Sequence, residues 1–281
     1  MSKRFLVTGG SGYLGAHIKR YFAADDFSRR SGHDLTHPAE LGRLSDYDVI
    51  IHLAGCTDKR PEAEERCFEV NVSGTANLLR SLRAGQIFIL ASTKDVYGRH
   101  CDDLESVDEQ CPTNYANQNA YEWSKLIAEK YVQYYTARAG ARSAIFRLST
   151  TYAPSSEGNA GTFVNFFANA IRSGNKLTLK AGGQQVRDFL HVNDLAKAFE
   201  LFINSDIESE IFNIGGGPST QTTLLKLTDI LGELIGRKPV VEINDQPETG
   251  QVKYVTNTNK LEKTLGWQPQ VCLSEGLKSI L

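Results

Sequence analysis

Tyr121 and Lys125 stand four residues apart in Tyr-Glu-Trp-Ser-Lys, a spacing that puts both side chains on one face of a helix. An ammonium close to a phenol favours the phenolate and brings a pKa of about 10 toward the working pH, as a general acid or base requires. A lysine so placed could also hold a ribose hydroxyl. Tyr-x-x-x-Lys alone is common on solvated helix faces, so its weight comes from its surroundings. One such surrounding is Ser92-Thr93-Lys94-Asp95-Val96-Tyr97-Gly98, directly after the apolar strand Phe88-Ile89-Leu90. Thr93 could donate to a substrate oxygen there, although Ser and Thr also favour strand-end turns because they bond their own backbone.

The second surrounding lies at the N-terminus, where Arg4 to Gly15 reads Arg-Phe-Leu-Val-Thr-Gly-Gly-Ser-Gly-Tyr-Leu-Gly. Phe5 to Val7 is too short for a helix and rich in strand formers, and Leu14, Ile18 and Tyr21 continue as an amphipathic helix. Gly9, Gly12 and Gly15 recur every third position, and Gly10, Gly12 and Gly15 satisfy G-x-G-x-x-G. Backbone can therefore approach a pyrophosphate at the positive end of the new helix, and a dinucleotide is expected there. An acid some 20 residues beyond the glycines suits the ribose hydroxyls of NAD, whereas arginine suits the 2′-phosphate of NADP. Asp25 and Asp26 offer the first, Ser28-Arg29-Arg30 the second, and the arginines favour NADP over NAD.

These residues need a scaffold that brings strand ends together. Strands are expected at Tyr47 to Gly55, Gln86 to Ala91 and Ala144 to Leu148, with a weak one near Asp25 to Arg30. Pro38 to Leu44 reads as a brief helix, Glu62 to Leu82 as one long helix, and Asn119 to Tyr135 as another. The alternation requires a parallel sheet covered on both faces, an α/β doubly wound (Rossmann) fold over residues 1–152. Its ligand crevice lies outside the carboxyl ends of the strands, where Thr93 falls. Past Tyr152 the rhythm changes to a loop with Gly158 and Gly161, a helix from Phe163 to Arg172, a strand pair around Lys176 to Lys180, and a strand from Val186 to Val192. A smaller, partly interleaved substrate lobe is expected from 153–187 and 215–281, with 188–214 rejoining the main sheet.

Composition excludes several partner classes. The 281 residues are 41% hydrophobic with net charge -2, enough for a large core and without the basic field that draws nucleic acid or an anionic membrane surface. No apolar run approaches the roughly 20 residues of a bilayer span, and the N-terminus shows no signal-peptide pattern, so a cytoplasmic location is expected. Cys56, Cys67, Cys101, Cys111 and Cys272 have no metal-ligand spacing and read as free thiols, with no metal site.

In its ordered motifs the chain resembles the extended short-chain dehydrogenase/reductase family, in the NAD-dependent epimerase/dehydratase branch that acts on nucleotide sugars. The motifs are Thr8 to Gly15, His52-Leu53-Ala54-Gly55, Asn71-Val72-Ser73-Gly74-Thr75, Ser92 to Gly98, Tyr121 to Lys125, Arg147 with Tyr152-Ala153-Pro154, Arg187-Asp188-Phe189, Asn213 to Gly217 and Leu265 to Pro269. The resemblance implies that Tyr121 is the acid/base, that Lys125 lowers its pKa and holds the nicotinamide ribose, and that Thr93 orients the reacting sugar oxygen. It assigns the cofactor to Gly9, Gly12, Tyr13, Leu14 and Gly15, to Ser28 and Arg29, to Asp34 (at the adenine) and Leu35, to Leu53, Ala54 and Gly55, and to Asn71 and Lys125. Lys94 and Arg187 would meet the substrate, Arg187 at the diphosphate; the alternative for Arg187 is an ion pair with Asp188. A homodimer built on the two long helices is also implied.

Two departures bear on the reaction. Members that eliminate water carry Asp-Glu after the threonine; Lys94-Asp95 stands here, which disfavours a dehydratase. A second diphosphate grip, Arg-Pro-Gly-Asp, is replaced by Gln246-Pro247-Glu248-Thr249-Gly250. The expected function is an NAD(P)-dependent nucleotide-sugar epimerase or 4-keto-sugar reductase that transfers hydride at a hexose carbon, C4, with Tyr121 exchanging the proton. The alternative is a catalytically silent dinucleotide-binding redox sensor.

Overall fold

Leu6 and Val7 are neighbours in one strand yet belong to two separate apolar cores, because successive side chains of a strand point to opposite faces. The computed structural model of the protein describes residues 3–37, 44–155, 161–244, 246–247 and 250–281. Six parallel strands form the central sheet: β1 Phe5–Thr8, β2 Asp25–Phe27, β3 Val49–His52, β4 Ile87–Thr93, β5 Arg142–Leu148 and, much later in the chain, β10 Ser209–Ile214. Their order is β10-β5-β4-β3-β1-β2, so the direction of progression reverses beside β1 and opens a crevice there.

One face carries Val7, Ile51, Ile89 and Phe146 and is covered by α1 (Tyr13–Phe22) and α6 (Val192–Ile203); the other carries Leu6, Ile50, Phe88 and Ile145 under α3 (Thr75–Arg80) and α4 (Ala120–Ala139). Each fully buried Leu, Ile or Phe contributes about 1.5–3 kcal/mol. His52 ends β3 between the hydroxyls of Thr8 (2.6 Å) and Thr75 (2.8 Å), and burial pulls its imidazole down to about 3, so it stays neutral.

The remaining elements form a smaller body. β6 (Thr150–Tyr152) pairs with β9 (Phe189–His191); β7 (Lys176–Lys180) pairs with β12 (Val240–Asn244); β8 (Val186–Arg187) lies between β11 (Thr222–Thr223) and β13 (Lys253–Tyr254). Val164 and Phe167 of α5 (Phe163–Ser173) meet Leu227 and Leu231 of α7 (Leu224–Ile235), and Leu277 of the terminal helix α9 (Leu273–Ser279) closes this core. Leu261 of α8 (Asn259–Leu265) packs instead on the α6 face of the sheet.

Four sequence expectations are corrected. The long helix 62–82 is α2 (Glu64–Phe68), a π-helical stretch Glu69–Gly74, and α3, the last ending at Arg80. The wider π turn carries Asn71 to Cys56, a use such bulges often have at functional sites. Lys176–Lys180 is a single strand whose partner lies far along the chain. The strand 186–192 breaks at Asp188, whose buried carboxylate turns to the Gly217 amide (2.9 Å), and Val192 already begins α6. The helix at Asn119 runs beyond Tyr135 to Ala139, where Gly140 stops it in a left-handed turn. Of the helix expected at 38–44, residues 38–43 lie outside the described residues, as does Gly158.

Candidate active site

The turn after β1 is built by close backbone approach. Gly9 has φ +70°, and a Cβ on it would stand 2.8 Å from the Ala54 backbone; a Cβ on Gly15 would stand 1.9 Å from the Gly9 carbonyl oxygen. Only glycine lets α1 begin this near the strand. Beyond the turn opens a cavity of about 810 Å³ at the carboxyl ends of β1, β2 and β3. Gly9, Gly12, Ser28, Arg29, Asp34, Leu35, Leu53, Ala54 and Gly55, all expected at the cofactor, line it together. Arg66, Glu69 and Val70 line it too; they directly precede the Asn71 to Thr75 motif and were not among the expected residues.

Tyr13, Leu14 and Asn71, also expected at the cofactor, are not among the lining residues. The Tyr13 hydroxyl accepts from the Ala153 amide (2.6 Å) and reaches Ala153 O and Asn165 Oδ1, tying α1 to the smaller body. Leu14 packs into the core. Asn71 accepts from the Cys56 amide (2.8 Å) and donates to Cys56 O (2.9 Å) and Ser124 Oγ (2.8 Å), fixing the loop after β3. Asp34 accepts from the amide and hydroxyl of Thr36 (2.9 Å each), and the amide bond above all holds its carboxyl below the usual range.

The acids that compete for the ribose separate clearly. Asp25 is taken by Tyr47 (2.8 Å). Asp26 accepts from Ser28 Oγ (3.0 Å) while its Oδ1, buried and without a hydrogen-bond partner among the described residues, lies over Gly10, where a Cβ would meet it at 2.6 Å. Ser28 caps the turn Arg29–Ser31, and Arg30 reaches back to the Ser11 carbonyl (3.3 Å). Arg29 and Arg30 on the cavity wall, with the orphaned Asp26 oxygen beside the glycine turn though not in the lining, fit the adenosine end of a dinucleotide.

At the inner end Thr93, Tyr121 and Lys125 come together. Tyr121 and Lys125 are buried on α4, and the Thr93 side chain at the end of β4 works against the rise of the Tyr121 phenol. Lys125 donates to Ala91 O (2.9 Å), and its ammonium lies against Gly55, where a Cβ would be 3.2 Å from Nζ. The missing side chain is what leaves the ammonium beside the cavity. The expected electrostatics are corrected: burial, then the Asp95 carboxylate, pushes the Tyr121 phenol up to about 12, and the cation that pulls it down is Lys59. Burial draws Lys125 itself down to about 8, opposed by Glu129.

Lys59 was missed by sequence reasoning because it sits in an unremarkable loop. Its ammonium lies 5.6 Å from the Tyr121 ring and bridges Asp95 (2.7 Å) and Glu122 (3.1 Å). Lys59→Met leaves Glu122 without its cation and Asp95 with Lys94 alone, and raises the phenol further. In the direction that consumes the phenolic proton, the alkaline limb of kcat/KM then moves to higher pH, and Lys59→Arg restores it; a pH profile that stays put or moves down would refute this role.

Glu129 was also missed. It is fully buried on α4, accepts from Ser92 Oγ (2.5 Å) and takes a bidentate bond from Arg147 (2.7–3.2 Å), whose Nη1 reaches Tyr97 Oη (2.9 Å). Lys94 and Arg187, expected at the substrate, are held by the protein. Lys94 bonds Asp95 (2.5 Å) and Gln251 Oε1 and lies 5.2 Å from the Tyr254 ring. Arg187 donates to the carbonyls of Val186, Gln251 and Val252 (2.6–3.2 Å), while Asp188 bonds Ser149 and Gly217. The cysteines are free thiols. No helix among the described residues is long and apolar enough to cross a membrane.

A family model described as NAD dependent epimerase/dehydratase family matches residues 5–215. The putative UDP-glucose 4-epimerase of Methanocaldococcus jannaschii is 30% identical over 304 residues, covering 98% of this chain and 96% of that protein. UDP-glucuronic acid decarboxylase 6 of Arabidopsis thaliana is 31% identical over 310 residues, covering 98% and 86%. Among solved structures, RMD from Pseudomonas aeruginosa complexed with NADPH superposes with a TM-score of 0.86 at 25% identity, covering 100% of this chain and 98% of that one.

Proposed function

The chain belongs to the NAD dependent epimerase/dehydratase family, and from that premise we propose that it is an NADP(H)-dependent enzyme acting at C4 of a nucleotide-linked hexose. The observation that carries the reading is the placement of Thr93, Tyr121 and Lys125 beside the cavity that begins at the glycine turn, with Lys125 against the wall residue Gly55 and Tyr121 in one cluster with the wall residue Cys56. A bound nicotinamide supplies or accepts hydride; position and proton handling fall to the protein. Gly9 and Gly12 give backbone access to the pyrophosphate, Lys125 holds the ribose beside Gly55, and Thr93 aligns the sugar oxygen that exchanges its proton with Tyr121. Burial keeps the Tyr121 phenol protonated, the form from which reduction of a 4-keto sugar draws its proton.

The second reading is an epimerase, in which the same groups serve transfer in both directions; the relative named as a putative UDP-glucose 4-epimerase favours it. A dehydratase is disfavoured because Lys94 is locked to Asp95 where an acid would be needed. Nicotinamide absorbance decides between the first two: NADPH is consumed with a nucleotide-linked 4-keto hexose in the reductase, and C4 interconverts with no net consumption in the epimerase. Neither outcome across several nucleotide hexoses would refute the proposal.

NADP is the proposed cofactor because Ser28, Arg29 and Arg30 form the rim beside Asp26, and the neighbour complexed with NADPH is in keeping with it. In competition binding NADP displaces NAD, and Ser28→Asp, which sets a carboxylate at the phosphate, reverses the order; a clear preference of the unmodified protein for NAD sinks the assignment. We also propose a homodimer through α2 and α4, checked as a solution mass of twice 31.1 kDa.

A further inference from the structure

Cys56 and Cys67 place their sulfurs 3.4 Å apart, although the residues come from different elements, the loop after β3 and helix α2. Both are buried, and together with Tyr121 they form one apolar cluster. They differ in access: Cys56 lines the large cavity, whereas Cys67 lies behind it with no exposed surface and also meets the Asp58 carbonyl (3.3 Å). We propose that Cys56 and Cys67 are an oxidisable pair whose disulfide, formed with a peroxide as oxidant, deforms the inner end of the cofactor cavity.

The geometry assigns the order of events. Burial pushes the Cys67 thiol up to about 12, so Cys56, at the cavity wall, is the sulfur that meets a small oxidant. Its sulfur attacks one oxygen of hydrogen peroxide; the O–O bond breaks, the hydroxide takes the thiol proton and leaves as water, and Cys56 becomes a sulfenic acid. The Cys67 sulfur then attacks the Cys56 sulfur, the S–O bond breaks, and the hydroxide leaves with the Cys67 proton as a second water. Two thiols are oxidised and one peroxide is reduced to two waters.

A disulfide needs the sulfurs at about 2.05 Å, so one side must move by more than an ångström. The Cys56 backbone is clamped at both its amide and its carbonyl by Asn71, and the adjoining Gly55 already has Lys125 and Asn71 against it. Any shift of that loop therefore moves the floor on which the cavity wall and Lys125 meet. The π-helical stretch directly after α2 gives the Cys67 side room to yield, but it carries Asn71 with it.

The test treats the reduced full-length protein with hydrogen peroxide and maps peptides without reduction, while NADPH affinity is read from nicotinamide fluorescence. The expected result is a Cys56–Cys67 linked peptide and at least a tenfold loss of NADPH affinity, reversed by dithiothreitol. Cys67→Ser forms no linked peptide and keeps its affinity after peroxide; Cys272→Ser, at the exposed cysteine, behaves as the unmodified protein. Absence of the linked peptide, or a linked peptide with unchanged affinity, overturns the proposal. The peptide map does not depend on which sugar the protein uses.

Discussion

Tyr121→Phe is expected to lower turnover by about 10²-fold or more while NADP(H) affinity stays within about twofold. The loss is one oxygen. The phenyl ring keeps its place in the cluster with Cys56 and Cys67, and Tyr121 is not among the residues lining the cavity, so cofactor contacts persist. What disappears is the proton donor beside Thr93, and about 10² in rate corresponds to about 2.7 kcal/mol of transition-state stabilisation. Steady-state turnover paired with fluorescence titration of the cofactor checks both halves. Unchanged turnover defeats the mechanism; a matching loss of cofactor affinity transfers Tyr121 to a binding role.

The largest effect on folding is expected at a residue that touches neither cofactor nor sugar. Glu129→Ala removes the carboxylate that accepts from Arg147 and Ser92, leaving a buried guanidinium with Tyr97 as its remaining side-chain partner among the bonds described. Breaking a buried pair from one side costs about 3–5 kcal/mol, because the surviving charge cannot be rehydrated in place. A double change, Glu129→Leu with Arg147→Met, removes both charges and recovers much of the loss. Denaturant midpoints measure both variants; a single variant as stable as its parent shows that water reaches Arg147. Lys125 provides a second readout, since Glu129 is the carboxylate that offsets its desolvation.

The contrast between these two residues explains how much the sequence could disclose. The glycine turn and Tyr121 with Lys125 are legible because their chemistry depends on spacing within a single element, three residues along a turn or four along a helix. The central sheet is legible for the same reason: Phe88-Ile89-Leu90 and Val49-Ile50-Ile51 read as strands buried on both faces. Lys59 is different. Its partners Asp95 and Glu122 lie 36 and 63 residues away, so nothing local marks it. Glu129 sits on a helix where a charged residue normally reads as solvated, and only the Arg147 side chain of β5 reveals that it is core. The broken helix 62–82 misleads through its apolar spacing, which a π turn barely disturbs. The Tyr121 shift runs upward because burial, invisible in spacing, outweighs the contributions of Thr93 and Lys59 that lower it.

The position of β10 has a further consequence, for biogenesis. It is the edge strand beside β5, pairing Ser209 to Ile214 with Ser143 to Leu148, yet the whole of α5 through α6 is synthesised between them. Until Ile214 has left the ribosome, β5 carries an open parallel edge that includes Phe146, a ready template for pairing with other chains. At about 5–20 residues per second that exposure lasts several seconds in every round of translation. The nascent chain is therefore most vulnerable to aggregation in midcourse, and a holdase that shields the β5 edge during that interval should raise the yield of native protein more than one that acts after release.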